Sequence, residues 1–162
     1  MAPADTLFAT KLRHFGGTLL TTQRNTPKRM TKAVVVSLQW LIRLLAVVQL
    51  TLGVLFWTGN AYEFLNLHML SGILLVLGLW IQAGIAARAG GGLGLPIVSF
   101  VWGLGVIALG MTQASLLPGD LHWLIKVLHL LVGVGAIGQA ESLAVRTKHR
   151  LNNNVRLAAA QY

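Results

Sequence analysis

The chain has 162 residues, of which 55% are hydrophobic and only 10% are charged, and its mean hydropathy is +0.69. Because soluble domains usually have about a quarter charged residues, this composition excludes a soluble globular protein and predicts an all-α integral membrane protein with one compact bundle. The net charge of +9 reflects Lys and Arg residues that flank hydrophobic segments, so no nucleic-acid partner is predicted, and the lack of cysteine excludes disulfides, iron–sulfur clusters and c-type haem.

Residues 1–32 precede the first hydrophobic segment and differ from a cleavable signal peptide, since they have no long apolar core. Lys11, Arg13 and His14 are scattered among apolar residues here, which favours a basic amphipathic arm on the cytoplasmic membrane surface. A second interpretation places the natural start at Met30, with the preceding stretch outside the native protein. The sequence leaves both interpretations open.

Four segments are long and apolar enough to cross a bilayer, for which about 20 residues are needed. Turns that contain glycine separate them, and they are predicted at residues 33–57, 62–87, 95–115 and 121–145. Residues 33–146 are therefore predicted to form a four-helix up-down transmembrane bundle. Residues 147–162 are predicted to be a polar cytoplasmic tail.

Basic residues are distributed unequally between the two sides of this predicted bundle. The loops on one side contain Glu63 and Asp120 and no Lys or Arg, whereas the other side has Arg24, Lys28, Arg29, Lys32, Arg88, Arg146, Lys148 and Arg150. By the positive-inside rule both termini are predicted to lie in the cytoplasm. The predicted location is the cytoplasmic (inner) membrane of a prokaryote.

The sequence LHMLSG at residues 67–72 recurs as LHLLVG at residues 128–133, 61 residues later. Both copies lie in predicted transmembrane segments, which indicates a two-fold internal repeat. A histidine in hydrocarbon is costly unless it is paired, hydrated or bound to something. His68 and His129 are therefore predicted to be the two axial ligands of one haem b.

The two histidines are predicted to lie at similar depth in the membrane. His68 is 20 residues before Arg88, and His129 is 17 residues before Arg146. At 1.5 Å per residue they lie roughly 30 and 25 Å from the cytoplasmic side. The second and fourth helices run in the same direction, so the two imidazoles can face each other across the bundle.

Gly72 and Gly133 each follow a predicted ligand by four residues and therefore share its helix face. A glycine at this position leaves room for a flat porphyrin, so both are predicted to be haem-binding positions. Small residues also let membrane helices pack closely, and this alternative stays open for each glycine.

His122, Lys126 and His129 fall on one helix face, at positions i, i+4 and i+7. His122 and Lys126 are predicted to contact a haem propionate, since a cationic side chain near the ligands favours a carboxylate. His122 can also be an ordinary polar residue at the interface. Depth alone does not exclude His122 as the partner of His68, although the repeat favours His129.

Arg43 and Glu141 are the other charges inside the predicted membrane region, both in its cytoplasmic half. One interpretation is an ion pair between the first and fourth helices. A second is a polar site for a quinone head group or for proton entry, joined by Gln49, Gln82 or Gln139. A third is that Arg43 extends to the interface without a partner.

Four spans, both termini inside, and one histidine on each even-numbered helix resemble one half of the haem A synthase family. The resemblance covers roughly residues 33–146 and implies a b-type haem held by His68 and His129. The first ligand of that family is typically followed by Arg and preceded by a functional Glu three residues back, where this chain has Met69 and Leu65. The external cysteine pair of many members is absent too, so the resemblance implies haem binding rather than synthase activity.

These features predict a membrane cytochrome b that transfers electrons as a subunit of a larger redox complex, rather than a stand-alone enzyme. Its predicted partners are the lipid bilayer, other membrane redox subunits and a quinone. Two alternatives stay open. One is a haem-free four-helix scaffold or assembly subunit, and the other is a small transporter that uses Arg43, Glu141 and the glutamines.

Overall fold

The computed structural model describes residues 4–90 and 92–160, and describes side chains from residue 30 onward except at residue 158. The described residues form no strand, and four α-helices account for most of them: α1 (Ala4–Trp57), α2 (Leu65–Arg88), α3 (Gly94–Thr112) and α4 (His122–Ala159). A single turn of 3-10 helix, Tyr62–Phe64, precedes α2. The all-α prediction is therefore confirmed.

Each helix contains a stretch that is long and apolar enough to cross a membrane, and these stretches are Met30–Trp57, Tyr62–Arg88, Gly94–Thr112 and His122–Leu157. They fit an integral membrane protein, as the composition predicts. Large apolar side chains remain exposed along all four helices; Leu44 is 63% exposed and Leu131 is 61% exposed. Such a surface suits a hydrocarbon solvent, in which apolar side chains incur no cost by facing outward.

The chain divides into two compact units, Met1–Val34 and Val35–Tyr162. The side chains of residues 1–29, including those that predict a basic arm, lie outside the described residues. The second unit contains the bundle and all the contacts described below.

The fourth helix is longer than predicted. It continues past residue 145 to Ala159, so most of the predicted polar tail is helical. The physical reason is that residues 146–157 contain no glycine or proline, and polar residues alone do not end a helix. The turns between the helices do contain the predicted glycines. Gly59 after α1 and Gly119 before α4 have φ angles of +82° and +96°, which residues with a side chain rarely adopt.

The core of the second unit lies between α1, α2 and α4. Its buried residues are Ile42, Leu45 and Ala46 of α1, Leu75, Leu79, Ala83 and Ala86 of α2, and Ala136, Ala140 and Leu143 of α4. Alanine at positions i and i+4 of α4 removes bulk from one face, and this lets the neighbouring helices approach closely.

Contact pairs establish the direction of each neighbouring helix. Gln49 contacts Ser71, and Ile42 lies against Gly78 further along α2, so α1 and α2 are antiparallel. Gly110 lies near His129, whereas Trp102 reaches Val132, so α3 and α4 are antiparallel as well.

Trp80 of α2 fixes the approach of α3. Its indole Nε1 donates a hydrogen bond of 3.2 Å to the carbonyl oxygen of Phe100. The same indole lies against Gly103, where a Cβ atom would collide with it and would lie 2.9 Å from Cγ1 of Val76. An indole N–H in hydrocarbon needs an acceptor, and glycine lets the ring come close enough to reach one.

Trp102 of α3 makes the same arrangement with α4. Its Nε1 donates a hydrogen bond of 2.9 Å to the carbonyl oxygen of Val132, and its ring lies against Gly135. In both cases the glycine follows the accepting residue by three positions. These two tryptophan–glycine contacts join α2 to α3 and α3 to α4.

Candidate functional site

His68 and His129 lie close together across the bundle, near the beginnings of α2 and α4. The centres of their imidazole rings are 6.3 Å apart, and the planes of the two rings are inclined by 53°. No other histidine has a described ring contact with His68. The structure therefore brings together the two residues that the repeated phrase selects.

The separation of the rings distinguishes between two kinds of interaction. A direct N–H to N hydrogen bond would place the ring centres about 5 Å apart. A single metal ion between the rings would place them about 6 Å apart, since imidazole–metal bonds are about 2.0–2.1 Å long. The observed 6.3 Å at 53° is longer than a direct hydrogen bond requires. It is close to the spacing of two ligands of one metal, and it also lies within the 4.5–7 Å range of ordinary packing between rings.

The Nδ1 atoms of His68 and His129 are both buried, and neither has a hydrogen-bond partner among the described residues. Most buried polar side-chain atoms are hydrogen-bonded, so each exception needs an explanation. A histidine that binds a metal through Nε2 normally donates its Nδ1–H to a carbonyl or carboxylate, so the unpartnered Nδ1 atoms do not by themselves indicate a bound metal.

Neighbouring helices hold each histidine from a different side. Phe56 of α1 packs edge-on against the ring of His68, with the ring centres 5.3 Å apart at 72°. On α3, Gly110 adjoins His129, because a Cβ atom at Gly110 would lie 3.5 Å from its Cε1. The ring of Phe56 therefore restricts His68 on one side, whereas Gly110 leaves room for the ring of His129.

The backbone of His68 is fixed by Gln49 and Ser71, whose role at this histidine the sequence does not predict. Nε2 of Gln49 donates hydrogen bonds of 2.5 Å to the His68 carbonyl oxygen and of 2.9 Å to Oγ of Ser71. Oγ of Ser71 in turn donates to the carbonyl of Leu67 at 2.7 Å. The only sequence signal for this network is Ser71, which lies one turn beyond His68.

The two predicted glycine positions differ. Nothing lies within 4 Å of a Cβ atom built at Gly133, so α4 has open space on this face. At Gly72 the corresponding space is filled by Gln49, whose Nε2 would lie 2.9 Å from the built Cβ. Gly72 therefore makes room for the Gln49 amide of α1, which is a packing role. The role of Gly133 at a haem stays a prediction.

His122 and Lys126 lie at the beginning of α4, and both are half-buried. Nδ1 of His122 is 3.1 Å from the carbonyl oxygen of Leu116, in the loop before the helix. This contact gives His122 a partner at the end of the bundle, as expected of a polar residue at the interface. The structure places no described contact between Lys126 and either histidine of the pair.

Arg43 and Glu141 form an ion pair between α1 and α4, as one of the three interpretations predicts. Nε of Arg43 is 2.7 Å from Oε1 of Glu141, and its second guanidinium nitrogen is 2.9 Å from Oε2. The guanidinium also lies over the ring of Trp40, 5.0 Å from its centre. Two parallel hydrogen bonds make this a bidentate pair, the strongest common geometry for Arg and a carboxylate.

Gln39 and Lys148 extend the ion pair into a polar cluster, which we call the α1–α4 clamp. The side-chain amide of Gln39 donates to Oε2 of Glu141 and accepts a hydrogen bond of 2.8 Å from Nζ of Lys148. The quinone or proton-entry interpretation joins Gln49, Gln82 or Gln139 to the two charges, but Gln49 bonds to His68 and Ser71 instead. The amide of Gln82 is buried without a described hydrogen bond, and Oε1 of Gln139 likewise has none.

We expect Arg43 and Glu141 to be energetically coupled. Replacing Glu141 alone with leucine leaves the guanidinium unpaired between helices, so it should destabilise the protein more than the joint replacement of Arg43 and Glu141 with leucine. Unfolding in detergent of the two single variants and the double variant measures the coupling. Losses that simply add would contradict the pair, and Ser142→Leu, an exposed neighbour of Glu141 on α4, is the control.

Among the described residues, no group of three or more His, Cys, Asp or Glu side chains is placed to hold a metal ion. A haem with two axial histidines needs only two protein ligands, so this finding concerns other kinds of metal centre. Comparison of the chain with protein-family models, curated proteins and solved structures finds no match.

Proposed function

We propose that this chain is a membrane cytochrome b that holds one haem b between His68 and His129. The observation that carries the proposal is the pair of imidazoles on α2 and α4, whose ring centres lie 6.3 Å apart across the bundle. Two axial histidines on facing helices of a bundle are a common way to hold a low-spin haem.

The bound haem would supply one-electron oxidation and reduction at its iron. The chain supplies the two axial nitrogens, and it restricts their orientation. Gln49 and Ser71 hold the backbone of His68, while Phe56 packs against its ring. His122 and Lys126 are proposed to face the propionates, because they lie on the helix face of His129 toward the outer end of α4.

The histidine pair also argues against a haem-free scaffold. If these residues served only to join helices, their rings would be expected to hydrogen-bond each other or the backbone. The ring centres are farther apart than a direct hydrogen bond requires, and neither Nδ1 atom bonds to a described residue, so the two rings contribute packing but no described hydrogen bond between the helices. The transporter alternative needs charges that can change partners, whereas Arg43 and Glu141 are held by two mutual hydrogen bonds and by neighbours in the clamp.

The proposal includes a topology and a setting. Both termini would lie in the cytoplasm, the two halves of the bundle would be related as an internal repeat, and the membrane would be the inner membrane of a prokaryote. The basic residues on one side support this orientation. Other membrane redox subunits and a quinone are the proposed electron partners, and the exposed apolar surface would contact them and lipid.

Single-cysteine variants test the orientation without background, because the chain contains no cysteine. Cysteines at Asn60 and Asp120 should react with an impermeant thiol reagent in intact cells, since both residues are exposed in loops on the proposed outer side. A cysteine at Leu93, which is 62% exposed in the opposite loop, should react only after the cells are opened. The reverse pattern would contradict the proposed orientation.

The absorption spectrum of the purified full-length chain tests the haem proposal itself. The protein is expressed with ample haem and purified in detergent, and haem is quantified against protein. We expect about one haem per chain, a Soret band, and sharp α and β bands on reduction, as for a low-spin iron with two imidazoles. A folded protein without a Soret band would overturn the proposal.

A further inference from the structure

Three polar side chains in the half of the bundle away from the histidine pair have buried atoms without hydrogen-bond partners. Gln82 of α2 is 2% exposed and Ser99 of α3 is 0% exposed. Neither the amide nitrogen nor the amide oxygen of Gln82 has a partner among the described residues, and the same is true of Oγ of Ser99 and of Oε1 of Gln139 on α4. Four buried polar atoms are therefore left without a described hydrogen bond.

The three side chains lie at one level of the bundle. Ala86 of α2, Pro96 of α3 and Leu143 of α4 line one narrow gap where the three helices meet. One helical turn from these residues, toward the histidine pair, are Gln82, Ser99 and Gln139. Residues three or four positions apart share a helix face, and Trp80 bonds to Phe100 in the same register. The three polar residues therefore border the same space between α2, α3 and α4.

The hydroxyl of Ser99 does not use the acceptor that its own helix offers. A serine in a helix often donates to the carbonyl four residues earlier, and Ser71 and Ser142 do so at 2.7 and 2.9 Å. Ser99 has no such bond, although it is fully buried. Its hydroxyl is therefore available to a ligand between the helices.

The position of these groups makes the lack of partners costly. Gln82 and Ser99 lie within stretches that are long and apolar enough to cross a membrane, where no bulk solvent reaches a buried amide or hydroxyl. Buried polar groups in native proteins are paired with protein or with ordered water. A ligand that bonds to all three side chains would satisfy this rule.

We propose that Gln82, Ser99 and Gln139 form an internal water site that joins α2, α3 and α4. The amide N–H groups and the hydroxyl donate and the amide oxygens accept, so the ligand must do both, as water does. All three side chains are neutral, and an ion would lose its hydration here without gaining an opposite charge.

The size of the adjoining space supports the same ligand. The gap one turn away has room for about one water molecule, which is too small for a quinone head group. The quinone that is the proposed electron partner would therefore bind elsewhere. The water site does not depend on haem binding.

Radiolytic footprinting of the full-length chain in detergent tests the proposal. X-rays generate hydroxyl radicals from water, including water inside a protein, and the radicals oxidise the side chains next to it. Leu79 and Val76 of α2 are both 0% exposed, but Leu79 lies one turn from Gln82 on the same face and Val76 lies further away on another face. Mass spectrometry should detect oxidation at Leu79 and none at Val76.

The joint replacement of Gln82 with leucine and Ser99 with alanine should abolish oxidation of Leu79. A buried water needs about two to four polar partners, and this variant leaves only Oε1 of Gln139 among the four atoms. Ser142→Ala is the matched control, because the Ser142 hydroxyl is exposed and bonds within its own helix. It should leave the oxidation of Leu79 unchanged.

Three results would overturn the proposal. Leu79 as unreactive as Val76 in the wild-type chain would show that the polar side chains bond directly to one another. Equal oxidation of both residues would show general opening of the core. Oxidation of Leu79 that persists in the joint variant would place the water elsewhere. The comparison within the wild-type chain decides the proposal even if the joint variant does not fold.

Discussion

Replacement of either His68 or His129 with alanine is expected to abolish the low-spin haem spectrum of the purified protein. Each imidazole supplies one of the two axial nitrogens in the proposal, and the two rings lie 6.3 Å apart with no third histidine among residues 30–160 in described ring contact with them. Loss of one nitrogen leaves a five-coordinate iron, which should be high-spin and lack sharp α and β bands. The measurement is the absorption spectrum of oxidised and reduced protein at equal haem loading.

Added imidazole provides a second measurement on the same variants. A free imidazole can enter the space left by the alanine and restore the low-spin bands, which a merely misfolded variant would not show. His122→Ala is the matched control, because His122 contacts the Leu116 carbonyl in the loop and should leave the bands unchanged. A low-spin spectrum that survives in His129→Ala but disappears in His122→Ala would instead identify His122 as the second ligand.

Alanine at Gly103 or Gly135 is expected to destabilise the bundle by about 1–3 kcal/mol, the usual cost of added bulk in a well-packed contact. The Cβ at Gly135 would lie 2.7 Å from Cζ2 of Trp102. The indole cannot move away freely, because its Nε1 is bonded to the Val132 carbonyl, and a displaced indole would leave its N–H unpaired in hydrocarbon. Thermal unfolding in detergent measures the difference.

Gly138→Ala is the control for this prediction, since Gly138 is on the same helix and nothing lies within 4 Å of its built Cβ. This change should be neutral or stabilising, because alanine is the better helix former. If Gly135→Ala and Gly138→Ala behave alike, the tryptophan–glycine contacts do not contribute to stability. Coupling between the two positions is measured separately, by comparing Trp102→Phe, Gly135→Ala and the double variant.

The four helices could be predicted from sequence because each needs only about 20 apolar residues between turn signals, and the observed bounds agree within a few residues for α2 and α3. The length of α4 could not be predicted in the same way. Polarity marks the end of the apolar stretch near residue 145, but it does not mark the end of a helix, and the helix continues to Ala159.

The candidate site, too, could be predicted from the sequence only in part. The repeated phrase selects His68 and His129, and the structure brings their rings together. Gly72 and Gly133 occupy matching positions in the two copies of the phrase, yet only Gly72 adjoins Gln49 of α1. Similar phrases in the sequence therefore do not predict which side chains of the neighbouring helices lie beside them.

Long-range polar contacts were predictable only where charge limits the choice. Arg43 and Glu141 are the two isolated charges at that depth, so an ion pair follows from the cost of leaving them apart. Gln39 and Gln82 are both plausible partners by composition, but only the rotation of α1 and α2 decides that Gln39 faces Glu141. That rotation depends on packing of the whole bundle and is not encoded locally.

The extent of α4 has a mechanical consequence. Its 38 residues form a rod about 57 Å long at 1.5 Å per residue, whereas the hydrocarbon layer is about 30 Å thick. If the beginning of α4 lies at one surface of the hydrocarbon layer, as the proposed topology requires, roughly 25 Å of the helix would extend beyond the opposite surface. A tilt of about 20°, typical of transmembrane helices, would displace the far end of this extension sideways by roughly 9 Å, so small rotations of the bundle would be amplified at the C-terminal end of the helix.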